Sequence, residues 1–115
     1  MTDAACLFCR IVAGEVPAET VAETADALAF RDISPQAPTH VLVIPKVHRP
    51  SLAELAQTHP DETVELLLLA RQVAEGEGIA NGYRLVANNG AAAQQTVFHA
   101  HVHVLGGREL TWPPG

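Results

Sequence analysis

Three of the chain's six histidines fall in one run, His99-Ala100-His101-Val102-His103-Val104-Leu105. In a β-strand successive side chains point to opposite faces, so His99, His101 and His103 would share one face. Ala100, Val102 and Val104 would then point into a core. Neighbouring imidazoles on such a face stand roughly 6.6 Å apart, too far for all three to hold one ion but well placed to flank a phosphate. An imidazole can attack phosphorus to give a covalent phosphohistidine that water then cleaves. Its neighbours can donate to the equatorial oxygens. Crowded imidazoles also depress one another's protonation, which keeps a nucleophile free. The plain alternative is a half-buried edge strand with a solvated polar face. Upstream, Asn88, Gln95 and Thr96 supply amide and hydroxyl groups that can serve a phosphate or merely cap a loop.

A second group of interest is Cys6-x-x-Cys9. Two thiolates at that spacing make half of a tetrahedral zinc site. In a reducing compartment the pair reads as metal binding, redox chemistry or simple burial, not as a structural disulfide.

The elements that must carry these residues follow from pattern. Cys6 to Ala13 reads as a short helix with Leu7, Phe8, Ile11 and Val12 near one face, stopped at Gly14. Thr20–Glu23 and Ala27–Arg31 form a hairpin around Thr24-Ala25-Asp26. Residues 32–38 form a loop with two prolines, and Thr39–Ile44 is a β-branched strand closed by Pro45. Lys46 to Pro50 is a connector bearing His48. Ser51 caps a short helix, Leu52–Ala56, with Glu54 at the capping-box position. Pro60 opens a long helix to about Ala74, with Asp61 and Glu62 at its positive end and Gly76 and Gly78 beyond it. Val64, Leu66, Leu67, Leu68, Leu69 and Val73 make its apolar stripe broad, which points to packing on more than one surface and to an oligomer interface. Tyr83–Ala87 is a fourth strand, and the fifth carries the histidine run and ends at Gly106-Gly107. The order of elements fits an α+β domain with an antiparallel sheet.

The 115 residues form one domain, 1–115. Apolar residues are 48% and charged residues 17%, ordinary for a globular protein, and the formal charge of −6 argues against a nucleic-acid polymer as partner. A single nucleotide stays possible, because a local pocket can oppose the net field. No apolar run reaches the ~18 residues of a membrane span, so no membrane partner is expected. Asp3 stands where a signal peptide carries positive charge, and a cytoplasmic location is the default expectation.

Several separated stretches resemble one family. Gln95 to Leu105 resembles the histidine-triad signature of the HIT superfamily. Ala29 to His40, Val43-Ile44-Pro45-Lys46, Gly106-Gly107-Arg108 and Trp112-Pro113-Pro114-Gly115 resemble its Hint branch. The resemblance implies a HIT fold, with an antiparallel five-stranded sheet, one long and one or two short helices, and a homodimer joining the sheets. It implies hydrolysis of the P–N bond in purine nucleoside monophosphate derivatives through a nucleotidyl-histidine. By position, His101 would be the nucleophile, His103 the phosphate contact, and His40 and His99 the rest of the network. Asp32 would bind the ribose hydroxyls. Leu7, Phe8, Ile11, Phe30 and Ile33 would form the base slot, although these residues read equally well as plain core. Asn88, Gln95 and Thr96 would sit at the phosphate and leaving group. The tail, 109–115, would dock near an active site, with Trp112 approaching the partner's. Relatives with the cysteine pair imply a structural zinc on Cys6, Cys9, His48 and His99, and no catalytic cofactor. Two positions depart from the pattern: Gln94 stands where a glycine is usual, and Thr96 where serine is common. A dinucleoside polyphosphate hydrolase and a nucleotide-binding regulator with incidental turnover are the rival readings. The former usually follows its triad with Pro-Arg, whereas this chain has Leu105-Gly106-Gly107-Arg108.

Overall fold

A computed structural model describes residues 5–115; the leader reading at Asp3 lies outside the described residues. Helix α1 (Leu7–Val12) leads into the hairpin β1 (Thr20–Glu23) and β2 (Ala27–Arg31), followed by β3 (Thr39–Pro45). Helices α2 (Leu52–Thr58) and α3 (Pro60–Gly76) come next, then β4 (Tyr83–Val86), a 3₁₀ turn at Ala91–Ala93, and β5 (Val102–Gly106). The strands make one five-stranded sheet in the order β1-β2-β3-β5-β4, with every neighbouring pair antiparallel. This is the expected α+β HIT fold.

Period-two alternation divides the sheet into two faces. Ala27 and Ala29 of β2, Val41 and Val43 of β3, and Val102 and Val104 of β5 form one buried cluster with Leu66, Leu69, Ala70, Val73 and Ala74 of α3. Those five α3 positions recur with helical spacing, so the long helix covers this face with one stripe. Its remaining large apolar residues, Val64, Leu67 and Leu68, are exposed. On the opposite face Leu28, Phe30, Leu42 and Ile44 pack with Phe8 of α1, and Ile11 and Val12 close over them.

The histidine run keeps its expected sidedness but not its expected strand. Ala100, Val102 and Val104 all enter the α3 core, as the alternation requires. Regular pairing, however, begins only at Val102. Upstream, the Ala100 N–H turns away from the sheet and donates to the Arg49 carbonyl at 2.6 Å. Of the three histidines, only His103 sits in β5. The two central helices run slightly past their expected ends, α2 to Thr58 and α3 to Gly76. As the sequence suggests, the Ser51 hydroxyl accepts from the Glu54 N–H at 3.2 Å and caps α2. After β5 the chain turns at Gly107, where φ is +89° and a Cβ would lie 2.9 Å from Pro38 Cβ, so glycine is required twice over.

Candidate active site

One of the triad histidines, His103, meets His40 across the sheet. Leu42 of β3 pairs with His103 of β5, and His40 lies two residues along on the same face, diagonal to His103. The two rings join through His40 Nε2 and His103 Nδ1 at 2.9 Å. A backbone donor fixes the proton positions. The Gln36 N–H donates to His40 Nδ1 at 3.0 Å, so a neutral His40 carries its proton on Nε2. That Nε2–H faces His103 Nδ1, with Asp32 Oδ2 at 3.4 Å as a second acceptor. His103 therefore accepts at Nδ1 and keeps its own proton on Nε2. Burial lowers the His40 pKa below its ordinary value, with Asp32 opposing. Burial, then the neighbouring His101 and His40, brings His103 down to about 4. Both rings are thus neutral at neutral pH.

His101 is held differently. Its Nδ1 lies 2.7 Å from the His99 carbonyl, which can only accept, so Nδ1 carries the proton and Nε2 keeps a lone pair in the neutral ring. The Phe8 ring stands edge-on to the imidazole at 5.2 Å between centroids, and His103 lies at 5.1 Å. His101 is 7% exposed, a buried ring with a defined tautomer. Phe8 also packs edge-on against Phe30 at 5.5 Å. Of the expected slot residues, Phe8 and Phe30 are buried and Ile11 is half-buried beside them. Leu7 is exposed, and Ile33 stands 99% exposed on the loop that carries Asp32.

The loop before the triad is clamped by Gln95. Its buried side chain accepts from the Gly90 N–H at 2.8 Å and donates to the Pro50 and Val97 carbonyls at 2.7 and 3.1 Å. The amide is fully used in holding backbone, so Gln95 shapes the loop from within. Thr96 is exposed and Asn88 half-buried. Gln94 adopts φ +70° and ψ +29°, the left-handed conformation that glycine takes without strain. The chain thus keeps the glycine-type backbone with a glutamine in it. Asp32 uses Oδ1 to accept from the Ser34 N–H at 2.7 Å.

Behind the triad, Cys6, Cys9, His48 and His99 bring four ligand atoms within 4.8 Å of one another. Cys6 Sγ lies 3.4 Å from His99 Nδ1, and Cys9 Sγ lies 3.3 Å from His48 Nδ1 and 3.5 Å from His99 Nδ1. A tetrahedral zinc with Zn–S of about 2.3 Å and Zn–N of about 2.0 Å sets its donors roughly 3.3–3.8 Å apart, so these spacings fit. His99 is oriented for the task. Its Nε2–H donates to the Pro45 carbonyl at 2.7 Å, which leaves the Nδ1 lone pair toward the sulfurs. Burial lowers the His99 pKa to about 4 and keeps the ring in the neutral, ligating form. The cluster can hold a metal ion, and His99 supplies both a ring to that cluster and a carbonyl to His101.

A model of the HIT domain matches residues 13–110. The chain belongs to the HIT family. The 14 kDa zinc-binding protein of Zea mays is 46% identical over 117 residues, covering 100% of this chain and 91% of that protein. An adenylylsulfatase of Arabidopsis thaliana is 44% identical over 116 residues, covering 99% of this chain and 79% of its own. The crystal structure of a HIT family hydrolase from Legionella pneumophila Philadelphia 1 superposes with a TM-score of 0.91 at 48% identity, covering 96% of this chain and 99% of that one. The intact histidine arrangement supports hydrolase activity for this HIT protein. The matched span leaves out Cys6, Cys9, Phe8 and the tail with Trp112, so two of the four candidate metal ligands lie outside the domain model.

Of the residues singled out in the sequence, Phe8, His99 and His103 lie against His101, and His40 joins it through His103, whereas Leu7, Ile33, Thr96 and Trp112 are exposed. The backbone groups that orient the rings were not foreseen. The Gln36 N–H and the carbonyls of Pro45, Arg49, Pro50 and His99 carry no side-chain signal. Only Pro45, ending β3, stands out in the sequence. Trp112 is 81% exposed and lies near Arg84 of β4, whose Cζ is 6.0 Å from the ring centroid and whose Nη2 donates to the Thr111 carbonyl at 2.9 Å. The tail of this chain therefore runs beside its own β4. Among the described residues no helix is long and apolar enough to cross a membrane.

Proposed function

We propose that this HIT protein hydrolyses purine nucleoside phosphoramidates at the α-phosphorus through a nucleotidyl intermediate on His101. The observation that carries this reading is the 2.7 Å bond from His101 Nδ1–H to the His99 carbonyl, which leaves the lone pair of the neutral ring on Nε2. The Nε2 lone pair attacks phosphorus, the P–N bond breaks, and the amine leaves with a proton. Water then attacks the same phosphorus and releases His101. His103 Nε2–H and the Thr96 hydroxyl donate to the phosphoryl oxygens as charge builds. Asp32 takes the ribose hydroxyls on its free lone pairs, and Leu7, Phe8, Ile11, Phe30 and Ile33 line the base. Asn88 and the backbone of Gln95 sit along the phosphate.

In this reading the metal cluster holds a structural zinc, as the zinc-binding maize relative supports. Bound there, the ion would fix the ring of His99 and hence the carbonyl that orients His101. The exposed Val64, Leu67 and Leu68 on α3 form the contact of a homodimer, within which the tail and Trp112 reach the partner's site. The protein acts in the cytoplasm, on a small nucleotide and not on a nucleic-acid polymer. The adenylylsulfatase relative supports chemistry at an adenylyl phosphorus with a variable leaving group. Turnover of adenosine 5′-phosphoramidate should exceed that of a diadenosine polyphosphate by orders of magnitude. Preference for the polyphosphate would replace the reading, and nucleotide binding without turnover of either would favour a regulator.

A further inference from the structure

The cluster behind the triad has an opening on one side. An open cleft of about 420 Å³ is lined by Cys6, Leu7 and His48 together with Thr96, Val97 and Phe98 of the catalytic loop. Cys6 is half-buried at the wall of this cleft, while Cys9 is buried at 2% exposure. Their sulfurs lie within 4.8 Å of one another, and the Cys9 N–H donates to Cys6 Sγ at 3.4 Å. The arrangement therefore has one cysteine at the wall of the cleft and a second cysteine buried beside it.

We propose that Cys6 and Cys9 form a peroxide-reactive pair whose oxidation to a disulfide dismantles the metal cluster and slows the hydrolase. The chemistry needs a two-electron oxidant of the hydroperoxide class. The Cys6 thiolate attacks one peroxide oxygen, the O–O bond breaks, and a proton taken up from solvent gives Cys6 sulfenic acid and water. The Cys9 thiolate then attacks the Cys6 sulfur. The S–O bond breaks, a second proton is taken up, and a second water departs. Two thiolates have together lost two electrons and peroxide has gained them. The product S–S bond of about 2.05 Å is reached by swinging two side chains already in the same pocket.

The consequence follows from the double role of His99. With both sulfurs in a disulfide, His48 and His99 are the only donors left of four, which is too few for a tetrahedral site. The His99 ring keeps its bond to the Pro45 carbonyl but loses its restraint on Nδ1. The same residue's carbonyl fixes the tautomer of His101, so slack at His99 reaches the nucleophile. The Gln95 clamp and the Arg49 carbonyl hold the backbone on either side, which makes the change a loosening and not an unfolding. The sulfur chemistry stands independently of the His101 reading; the loss of turnover rests on it.

The test uses the wild-type chain, reduced and loaded with one equivalent of zinc, then treated with increasing hydrogen peroxide. Four readouts are followed: ion release to a chromophoric chelator, titratable thiols, the mass of the peptide containing Cys6 and Cys9, and adenosine 5′-phosphoramidate turnover. The expected result is that the two thiols are lost together, the peptide loses two hydrogens, and zinc is released in step. Turnover should fall about tenfold or more, and a dithiol with zinc should restore it. In Cys9→Ser, peroxide should leave a trappable sulfenic acid at Cys6. Retained zinc with both thiols oxidised would overturn the proposal, as would unchanged turnover after the disulfide has formed. So would activity lost irreversibly with no disulfide. A wild-type enzyme that never turns over the phosphoramidate fails the functional reading alone, because the thiol, mass and ion readouts do not depend on it.

Discussion

His40 and His101 each have one ring nitrogen set by a neighbour that can act in only one way, and His103 takes its tautomer from His40. The Gln36 N–H can only donate, and the His99 carbonyl can only accept. From these two facts the protons on all three rings follow, ending with a lone pair on His101 and a donor on His103. Replacing His40 with alanine removes the donor to His103 Nδ1 and frees that ring to choose either tautomer. Turnover should fall about 10–100-fold with a much smaller change in KM, measured by steady-state kinetics. His103 also gives an acid-side signature. Its folded pKa of about 4 lies below its ordinary 6.5. Between those values the unfolded chain binds a proton that the folded chain refuses, so stability falls as pH drops from about 6.5 to about 4 and then levels. The loss is on the order of 2 kcal/mol for a ring that is only partly buried. Thermal melts of the wild type and His103→Asn across this range should show a shallower acid slope in the variant.

At the scale of elements, the site hangs on the connector of residues 46–50. His48 enters the metal cluster, the Arg49 carbonyl receives Ala100, and the Pro50 carbonyl receives Gln95. The Arg49 side chain pins the connector to α3 through Glu62 at 2.8 Å. Replacing Gln95 with leucine leaves the Gly90 N–H and the Pro50 and Val97 carbonyls without this partner, which should cost about 1–3 kcal/mol in urea denaturation. The 90–97 loop should become the earliest site of limited proteolysis. Much of this layer was legible beforehand. The hairpin around Thr24, the Ser51 cap and the core parity of Ala100, Val102 and Val104 all follow from local pattern. The start of β5 at Val102 does not, because the competing bond to Arg49 joins residues far apart in sequence. The clamp by Gln95 is invisible for the same reason: a buried glutamine and a phosphate-contacting one look alike in a string of letters.

For the whole molecule, one face of the sheet is closed by α3 and the other carries α1, the triad and the metal cluster. The apolar residues left outside, Val64, Leu67 and Leu68, are the proposed dimer contact. Wild-type protein should sediment as a dimer at micromolar concentration and Leu68→Glu as a monomer; a monomeric wild type would refute the contact. Everything else converges on His101, since it stands directly before β5, the His99 carbonyl orients it and Phe8 packs against it. The most direct measurement is rapid-quench mass spectrometry of the enzyme turning over an adenosine phosphoramidate. An adenylyl group should be found on the peptide containing His101, assigned to that residue, and both adduct and turnover should vanish in His101→Ala while nucleotide binding persists. An adenylyl group on another residue, or full turnover in His101→Ala, would contradict the mechanism.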